Sequence, residues 1–354
     1  MTAGLHNDAP HRRVRAEWEP YDTVMMAWPG EHTDWAPMLR QADECYMAMA
    51  RAIAASGLRL LVVDPDGVAA RKLSGIFPAG HLIAVSCRHN DTWTRDYGPV
   101  TVEETDGSLK ALDFRFDGWG LKFAANFDNL VNLQMVEKSL LRRDCYEGHL
   151  DYTFEGGSLE TDGNGTMLST AECLQALNRN GYRTEEQLRE YFAQTLGITH
   201  FHLLHHGALD GDDTDSHIDT LARFAPHDTI LYVKSYNPAD SHTRELDLME
   251  EELKALRTAQ GNPYNLIALP LPDAIYDPAD GSRLPATYAN FLITPRTVLM
   301  PVYAQSANDR MAHQMLQIAF PDREIIDVDC RALIRQHGSL HCSTMQIPQG
   351  LLTI

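Results

Sequence analysis

The N-terminal quarter of the chain shows the clearest pattern of apolar and polar positions. A nearly continuous apolar run over Thr23–Trp28 predicts a buried strand, which Pro29-Gly30 ends. Apolar residues then recur every three or four positions from about Trp35 to Ala55, which predicts an amphipathic helix with Asp34 as its N-cap. A second apolar run over Leu58–Val63 predicts the next strand, so this part of the chain forms a strand–helix–strand segment.

A related combination of elements recurs along the rest of the chain. Each unit has two strands joined by a short turn, then a helix, then another strand, and Asp106-Gly107 is a strong hairpin signal of this kind. Thr184 and Gln187 have the spacing of a capping box at the start of one helix. The predicted segments are strands at Leu82–Val85, Thr101–Val102, Leu109–Phe114, Ser158–Glu160, Thr166–Leu168, Phe201–Leu204, His217–Phe224, Thr229–Val233, Asn265–Leu269, Thr287–Ile293, Thr297–Val302 and Glu324–Val328, with helices at about Leu130–Leu141, Thr184–Leu196, Ser241–Arg257 and Ala307–Phe320.

The fifth unit is divided between the two ends of the chain. Its first predicted strand is Leu340–Ile347 and its second is Thr23–Trp28, so we expect these two strands to pair. Five similar units in 354 residues favour an α/β fold that closes into a ring with pseudo-fivefold symmetry, as a single catalytic domain over 1–354. Such closure would leave no exposed sheet edge. An ordinary open α/β sheet is the alternative that the pattern leaves open.

Composition limits the classes of function. Hydrophobic residues at 44% and charged residues at 22% are typical of a globular protein. The net charge of −19 argues against nucleic acid or an anionic membrane as partner and is compatible with a cationic substrate. The six cysteines show no CxxC pairing, so neither a zinc site nor a disulfide framework is expected. Met1–Arg13 is a polar lead-in, Met1–Val14 lacks the apolar core of a signal peptide, and no apolar run would span a bilayer, so we expect a cytoplasmic protein with reduced thiols.

Five reactive or polar residues lie at or near the starts of the first strands of five different units. In a ring, these positions would converge on the central axis and form one site. A lone cysteine is more often a small buried hydrophobe, so the cysteine gains weight only from the other four. The five residues are Asp96, Glu155, His217, Asn290 and Cys342.

His217 and Asp219 are two residues apart in a predicted strand, where such side chains point to the same face. They would line one wall of a pocket, and a polar strand edge facing water is the alternative. The preceding residues Asp212, Asp213 and Asp215 indicate a solvated loop or a cation-binding loop, without the spacing of an EF-hand. Four further histidines lack metal-ligand spacing and are expected to be structural or surface groups: His200, His202, His205 and His206.

Trp93 and Asp96 lie in one short polar segment. An indole face and a carboxylate can form one wall of a site for a flat cation, although an Arg95–Asp96 surface pair at a turn is the alternative. Gly156-Gly157 after Glu155 would allow close approach of the backbone to a buried site, and a simple turn is again the alternative.

A thiol, a histidine and several carboxylates together suit a cationic electrophile. A guanidinium is planar and pairs bidentately with carboxylates, so two carboxylates could hold its terminal nitrogens. The thiolate of Cys342 would attack the central carbon. His217 would protonate the departing ammonia and later activate water against the covalent intermediate.

Ordered motifs along nearly the whole chain carry a family resemblance. They are Ala16-Glu17-Trp18-Glu19-Pro20, Ala27-Trp28-Pro29, Trp93-x-Arg95-Asp96-x-Gly98-Pro99, Glu155-Gly156-Gly157-Ser158, Asn178-Arg179-Asn180, Asp213-Thr214-x-x-His217-x-Asp219, Tyr288-x-Asn290-Phe291 and His341-Cys342-x-Thr344-x-Gln346. With these motifs the chain resembles the guanidine-modifying superfamily, and most closely the agmatine deiminases.

The resemblance implies a five-bladed α/β propeller that needs no cofactor and no metal. It implies hydrolysis of agmatine, a small cationic guanidine, to N-carbamoylputrescine and ammonia through a cysteine-bound amidino intermediate, as a step towards putrescine. A homodimer is compatible with it. The implied roles are Cys342 as nucleophile, His217 as general acid–base, Asp96 and Asp219 as guanidinium-binding carboxylates, Asp213 as a further substrate-binding aspartate, Glu155 and Asn290 as polar site residues, and Trp93 and Trp119 as pocket walls.

Two local sequences depart from the family pattern, and two other functions stay open. Gln336–Ser339 stands where many relatives carry a glycine run, and Asp215-Ser216 precedes His217 where Asn-Gly is commoner. Free or C-terminal arginine as substrate would need arginines at the pocket rim, for which Arg115 beside Asp117 is weak support. A protein of a different class, which binds polyamine or arginine without catalysis, would need no thiol.

Overall fold

The computed structural model describes residues 12–353. The predicted lead-in Met1–Arg13 lies outside this range except for Arg12 and Arg13. These two residues begin a short strand that the sequence did not predict. Within 12–353 the strands are β1 Arg12–Val14, β2 Thr23–Ala27, β3 Arg59–Val63, β4 Leu82–Val85, β5 Val100–Glu104, β6 Leu109–Arg115, β7 Tyr146–Thr153, β8 Glu160–Thr161, β9 Thr166–Thr170, β10 His200–Leu204, β11 Ala222–Ala225, β12 Thr229–Lys234, β13 Asn265–Pro270, β14 Leu292–Ile293, β15 Thr297–Val302, β16 Glu324–Asp329 and β17 Met345–Ile347.

The helices show both the strength and the weakness of capping signals. The predicted capping box is confirmed, because Thr184 accepts from the backbone of Gln187 and the Gln187 side chain accepts in return. The prediction of Asp34 as an N-cap is wrong: a 3-10 turn over Ala36–Met38 precedes the first helix, and no side chain caps it. The helical segments are α1 Leu39–Ala55, α2 Val68–Lys72, α3 Thr94–Tyr97, α4 Gly118–Leu121, α5 Val131–Glu137, α6 Ala171–Leu174, α7 Leu177–Asn180, α8 Glu185–Leu196, α9 Thr243–Ala255 and α10 Ser306–Ala319.

The strands of the described range form five sheets with one common pattern. Each contains an antiparallel pair followed by a parallel neighbour, and a helical connection joins the parallel strands, as parallel pairing requires. The predicted order of strand, strand, helix and strand is therefore present in each sheet. The strand orders are β1-β5-β6-β7, β10-β9-β8, β11-β12-β13, β14-β15-β16 and β17-β2-β3-β4.

The last of these sheets joins the two ends of the chain. β17 pairs antiparallel with β2, so that Met345 lies opposite Met25. The pairing is the one expected from the sequence, but the strand is shorter than predicted because Leu340–Thr344 folds as a turn. Closure of the five sheets around one axis stays a prediction.

The predicted first strands begin too early near four of the five candidate site residues, whereas the strand after Asp96 begins at Val100, one residue before its predicted start. His217 precedes a 3-10 turn over Ile218–Thr220, and the strand begins only at Ala222. A 3-10 turn likewise occupies Gly156–Ser158 before β8, and of the predicted strand Thr287–Ile293 only β14 is extended. His217 and Asp219 therefore do not share a strand face, contrary to the prediction, since neither lies in a strand.

The core consists of apolar side chains from the sheets and from the helices that cover them. Fully buried residues of β2, β3, β12 and β15 belong to one large cluster, and a second cluster lies around Phe192 of α8. Among residues 12–353, none of the helices combines the length and the apolar character that crossing a membrane demands.

Candidate active site

The thiol of Cys342 lies in a tight turn just before β17. The amide of Asn290 holds this turn: its Oδ1 accepts from the backbone N–H groups of His341 and Cys342 at 2.9 and 3.2 Å, and its Nδ2 lies 3.1 Å from Cys342 Sγ. Asn290 therefore fixes both the backbone and the sulfur of the candidate nucleophile.

The surroundings of the sulfur oppose a free thiolate. Burial raises the pKa of the Cys342 thiol well above its usual range, and the negative charges of Asp219 and Asp96 raise it further. Asp219 Oδ2 lies 3.6 Å from Sγ. The resting thiol is therefore protonated, and a bound cation would favour its ionisation.

His217 lies between two carboxylates and is fully buried. Its Nδ1 is 3.6 Å from Asp96 Oδ1, and its Nε2 is 3.5 Å from Glu155 Oε2. Burial lowers the pKa of His217, but its negatively charged neighbours, led by Asp96, outweigh burial and hold that pKa well above its usual value. The imidazole is thus protonated and suited to donate a proton to a leaving group.

Asp96 is buried with both oxygens occupied by N–H donors. Gly157 N donates to Oδ1 at 2.9 Å, and Trp119 Nε1 donates to Oδ2 at 3.0 Å. Burial raises the pKa of Asp96 to about 6, against the opposing effect of His217. A β-carbon at Gly157 would lie 2.5 Å from His217 Nδ1, so the close backbone approach expected from the glycine pair is confirmed there.

Glu155 is neutralised by an arginine to which sequence reasoning gave no role. Arg179 Nε lies 2.8 and 2.9 Å from the two Glu155 oxygens, and its Nη1 lies 2.6 Å from Asp215 Oδ2. Burial would raise the pKa of Glu155, but Arg179 and then His217 hold it below its usual value. The Asn178-Arg179-Asn180 motif was the signal that could have identified this arginine.

Asp219 is buried beside the sulfur and differs from Asp96 in its ionisation. Its Oδ2 lies 2.7 Å from His341 Nδ1, whereas Oδ1 has no hydrogen-bond partner among the described residues. Burial alone would raise the pKa of Asp219, but the hydrogen bond and charge of His341 lower it overall. An ionised oxygen is thus available to a donor on a ligand.

A cleft of about 170 Å³ leads to these groups. Trp93, Trp119, Asp96, Asp213 and Cys342 all line it, whereas the fully buried His217 and Asp219 lie behind that wall. Trp119 has the left-handed backbone conformation, with a φ of 57°, which a bulky residue seldom adopts. Burial raises the pKa of Asp213 to about 6. The two indoles and the aspartates together give the cleft an aromatic and acidic wall.

The two sequences that depart from the family pattern keep compact turns. Asp215 and Ser216 both have left-handed φ angles, of 64° and 62°, directly before His217. In the other segment, a β-carbon on Gly338 would lie 2.3 Å from the ring of Trp93, so glycine is required where the chain packs under that indole.

Some sequence-predicted residues lie away from the cleft. Arg115 donates to Thr153 Oγ1 and to the carbonyl of Arg179, and Arg335 is the arginine found at the rim instead. None of the four histidines expected to be structural lines the cleft among the described residues.

Two buried groups of ligand atoms are close enough to hold a metal ion. One consists of Glu155, Cys173 and His217, and the other of Glu17, Glu160 and His341. A buried guanidinium pairs with the carboxylates of each group, Arg179 with the first and Arg223 with the second, so those carboxylates already have a positive partner.

Comparisons with known proteins find relatives that match nearly the whole chain. The sequence model of the Porphyromonas-type peptidyl-arginine deiminase family matches residues 13–348. A provisionally named agmatine deiminase of Legionella pneumophila (strain Paris) is 31% identical over 342 residues, which cover 95% of each chain.

Two solved structures superpose on nearly the whole chain. A cysteine-to-serine variant of the C. jejuni agmatine deiminase with substrate bound has a TM-score of 0.88 and 33% identity, covering 99% of this chain and 100% of that one. A provisionally named arginine deiminase from Porphyromonas gingivalis has a TM-score of 0.87 and 44% identity, covering 96% and 99%. The fold is thus the α/β pentein fold of these proteins. The chain belongs to the Porphyromonas-type peptidyl-arginine deiminase family, is related to the agmatine deiminases over almost its full length, and is a hydrolase of C–N bonds in amidines.

Proposed function

We propose that this chain is an agmatine deiminase, which hydrolyses agmatine to N-carbamoylputrescine and ammonia. The observation that carries the proposal is the position of the Cys342 thiol beside Asp219, in a cleft that Asp96 also lines. Two carboxylates bind a guanidinium better than any neutral carbonyl, because its N–H groups form a matching fork. The relatives and solved structures named for agmatine support the same substrate.

The bound guanidinium lies between the indoles of Trp93 and Trp119, with its nitrogens on Asp96 and Asp219. Its positive charge offsets the two carboxylates that oppose ionisation of the Cys342 thiol, so the thiol releases its proton to solvent through the cleft on binding, and the ammonia that leaves later takes up one proton from solvent as ammonium. The thiolate then forms a C–S bond at the guanidinium carbon.

His217 donates a proton in the first half-reaction and accepts one in the second. In the first, its imidazolium protonates one amino group, the C–N bond breaks, and ammonia leaves an amidino group on sulfur. In the second, the neutral imidazole takes a proton from the attacking water, and the C–S bond breaks. The remaining hydroxyl proton passes to the sulfur, which restores the thiol and leaves the ureido product.

Ammonia release on a substrate panel tests this function. Wild type is expected to turn over agmatine, and Cys342→Ala is expected to be inactive. Cys145→Ala is the matched control, because that thiol is also buried but does not line the cleft. Equal ammonia release by wild type and Cys342→Ala would overturn the thiolate mechanism.

One observation favours a second candidate, an arginine deiminase acting on free or C-terminal arginine. Arg335 lines the cleft and could meet a substrate carboxylate, although its Nε already lies 3.0 Å from Asp277 Oδ2. Asp34, Asp91 and Asp213 line the same cleft and favour a cationic tail instead. If arginine is the substrate, Arg335→Gln raises KM for arginine and leaves KM for agmatine unchanged.

The wider setting follows from the same proposal. The five sheets would close as the blades of one propeller, in a single catalytic domain over 1–354, and the strand pairing of the two chain ends supports this closure. The reaction would serve putrescine biosynthesis in the cytoplasm, where the six unpaired cysteines would stay reduced. A homodimer is the oligomeric state to test by light scattering.

A further inference from the structure

A second buried polar cluster lies directly behind Asp219, and the reaction proposed above does not use it. His341, the residue before the nucleophile, is buried between two carboxylates. Its Nδ1 lies 2.7 Å from Asp219 Oδ2, and its Nε2 lies 2.8 Å from Glu17 Oε2. Because carboxylate oxygens only accept, both contacts are hydrogen bonds only when both ring nitrogens carry protons.

A fully buried arginine contacts the same Glu17 oxygen as His341. Arg223 Nη2 lies 2.5 Å from Glu17 Oε2, and Arg223 Nε pairs with Glu160. The same Nη2 lies 3.1 Å from His341 Nε2: a bare Nε2 would accept from Arg223, whereas a protonated Nε2 donates to Glu17 alongside Arg223. The other oxygen of Glu17 accepts from the backbone of Ile293 at 2.7 Å, so both oxygens of Glu17 are engaged by donors.

The charges of the cluster also favour a protonated ring. Asp219, Glu17 and Glu160 carry three negative charges; Arg223 contacts Glu17 and Glu160 directly, while Arg95 near Glu17 and protonated His217 near Asp219 add positive charge at longer range. A protonated His341 brings the buried cluster closer to neutrality, and buried charges need such pairing. From the site side, Asp219 faces His217, Cys342 and Asp96.

We propose that His341 is a positioning residue: Glu17 keeps its ring doubly protonated, and the ring in turn fixes Asp219 as an oriented carboxylate for the guanidinium. The inference rests on the proposed function for its kinetic part. It assigns the two Asp219 oxygens, since Oδ2 is bound by His341 and the unpartnered Oδ1 remains for the substrate. It also gives a role to the N-terminal motif that contains Glu17.

The variant Glu17→Gln tests the inference through kinetics. It keeps the shape but removes the charge that holds the second proton on His341, so the pKa of Asp219 rises. We expect kcat/KM for agmatine to fall roughly 10- to 100-fold, as metal affinity or activity does when a residue that orients a metal ligand is lost. We also expect the acidic limb of the pH profile, where kcat/KM falls at low pH, to move to higher pH. Glu19→Gln is the matched control, because Glu19 lies in the same segment but pairs with Arg13.

His341→Gln is the second variant, since its amide still donates to Asp219 without carrying charge. The same shift of the acidic limb is expected. Titration of reactive Cys342 gives the active fraction of each preparation. If Glu17→Gln and His341→Gln lose only active fraction, with KM and the acidic limb unchanged, His341 is merely structural and the inference is overturned.

Nitrogen-15 NMR of histidine-labelled protein tests the inference without any substrate. At neutral pH the His341 signals, identified by their absence in His341→Gln, are expected to show two protonated nitrogens in wild type and one in Glu17→Gln. A wild-type ring with one bare nitrogen overturns the inference. Absence of agmatine turnover by wild type overturns the proposed function alone, because the NMR experiment does not depend on it.

Discussion

Replacing Asp96 with asparagine should abolish deimination and change the stability of the fold in a pH-dependent way. Burial raises the pKa of Asp96 from 3.8 to about 6. The folded protein therefore holds the proton more tightly than the unfolded chain, and ionisation of Asp96 destabilises the fold. The rise corresponds to about 3 kcal/mol at high pH, and this penalty disappears as the pH falls from the folded towards the unfolded pKa.

Asparagine removes the ionisation penalty but also one hydrogen bond. Gly157 N and Trp119 Nε1 each donate to one carboxylate oxygen, and an amide has only one oxygen to accept. A donor left without a partner costs about 1–3 kcal/mol at every pH. The change of stability with pH can be separated from that constant cost. The free energy of unfolding of Asp96→Asn, relative to wild type, should increase by roughly 2–3 kcal/mol between about pH 4 and about pH 8.

Urea unfolding of both proteins across this pH range measures the difference directly. Asp219→Asn is the matched comparison, because the pKa of Asp219 is lowered and its ionised form stabilises the fold. That replacement should cost stability at neutral pH, and the cost should shrink as the pH falls below the ordinary aspartate range. Parallel pH profiles of wild type and Asp96→Asn, or the same sign for both variants, would refute the electrostatic reasoning.

Three further changes have expected outcomes. Gly157→Ala places a β-carbon 2.5 Å from His217 Nδ1, so kcat should fall by at least roughly 10-fold while circular dichroism stays unchanged. Trp119→Phe removes a donor from ionised Asp96, so the acidic limb of kcat/KM should move up by about one pH unit. Arg179→Met leaves a buried carboxylate unpaired and should lower the free energy of unfolding by about 3–5 kcal/mol, measured in urea.

Apolar runs predicted the strands well where the strand is buried on both faces. The bounds of β15, which is buried along nearly its whole length beside a parallel neighbour, agree with the sequence analysis. Those of β4 agree as well, although β4 is an edge strand in which Ala84 is exposed. β7 was not predicted, because most of its residues are polar or partly exposed. The 3-10 turn after His217 was not predicted either; the backbone N–H and the hydroxyl of Thr220 both donate to the carbonyl of His217, where the sequence predicts a strand.

Spacing indicated the reactive groups but not their partners. Cys342, His217 and Asp96 do lie together, with Asp219 and Asn290 against the sulfur. The residues that pair with the charges of these groups could not be predicted from local patterns, because the partners lie far away in sequence. Glu17 is 324 residues from His341, and only a tertiary structure reveals that the two side chains touch.

The opposite ionisation preferences of Asp96 and Asp219 make the proposed site bind the substrate more tightly than the product. Asp219 is held as a carboxylate by His341, whereas Asp96 is costly to ionise even beside protonated His217, until a second cation reaches it. A guanidinium substrate removes that cost and is bound. The ureido product is neutral, so ionisation of Asp96 becomes costly again once ammonia has left. Binding energy therefore falls on conversion of substrate to product, which favours product release without any movement of the backbone.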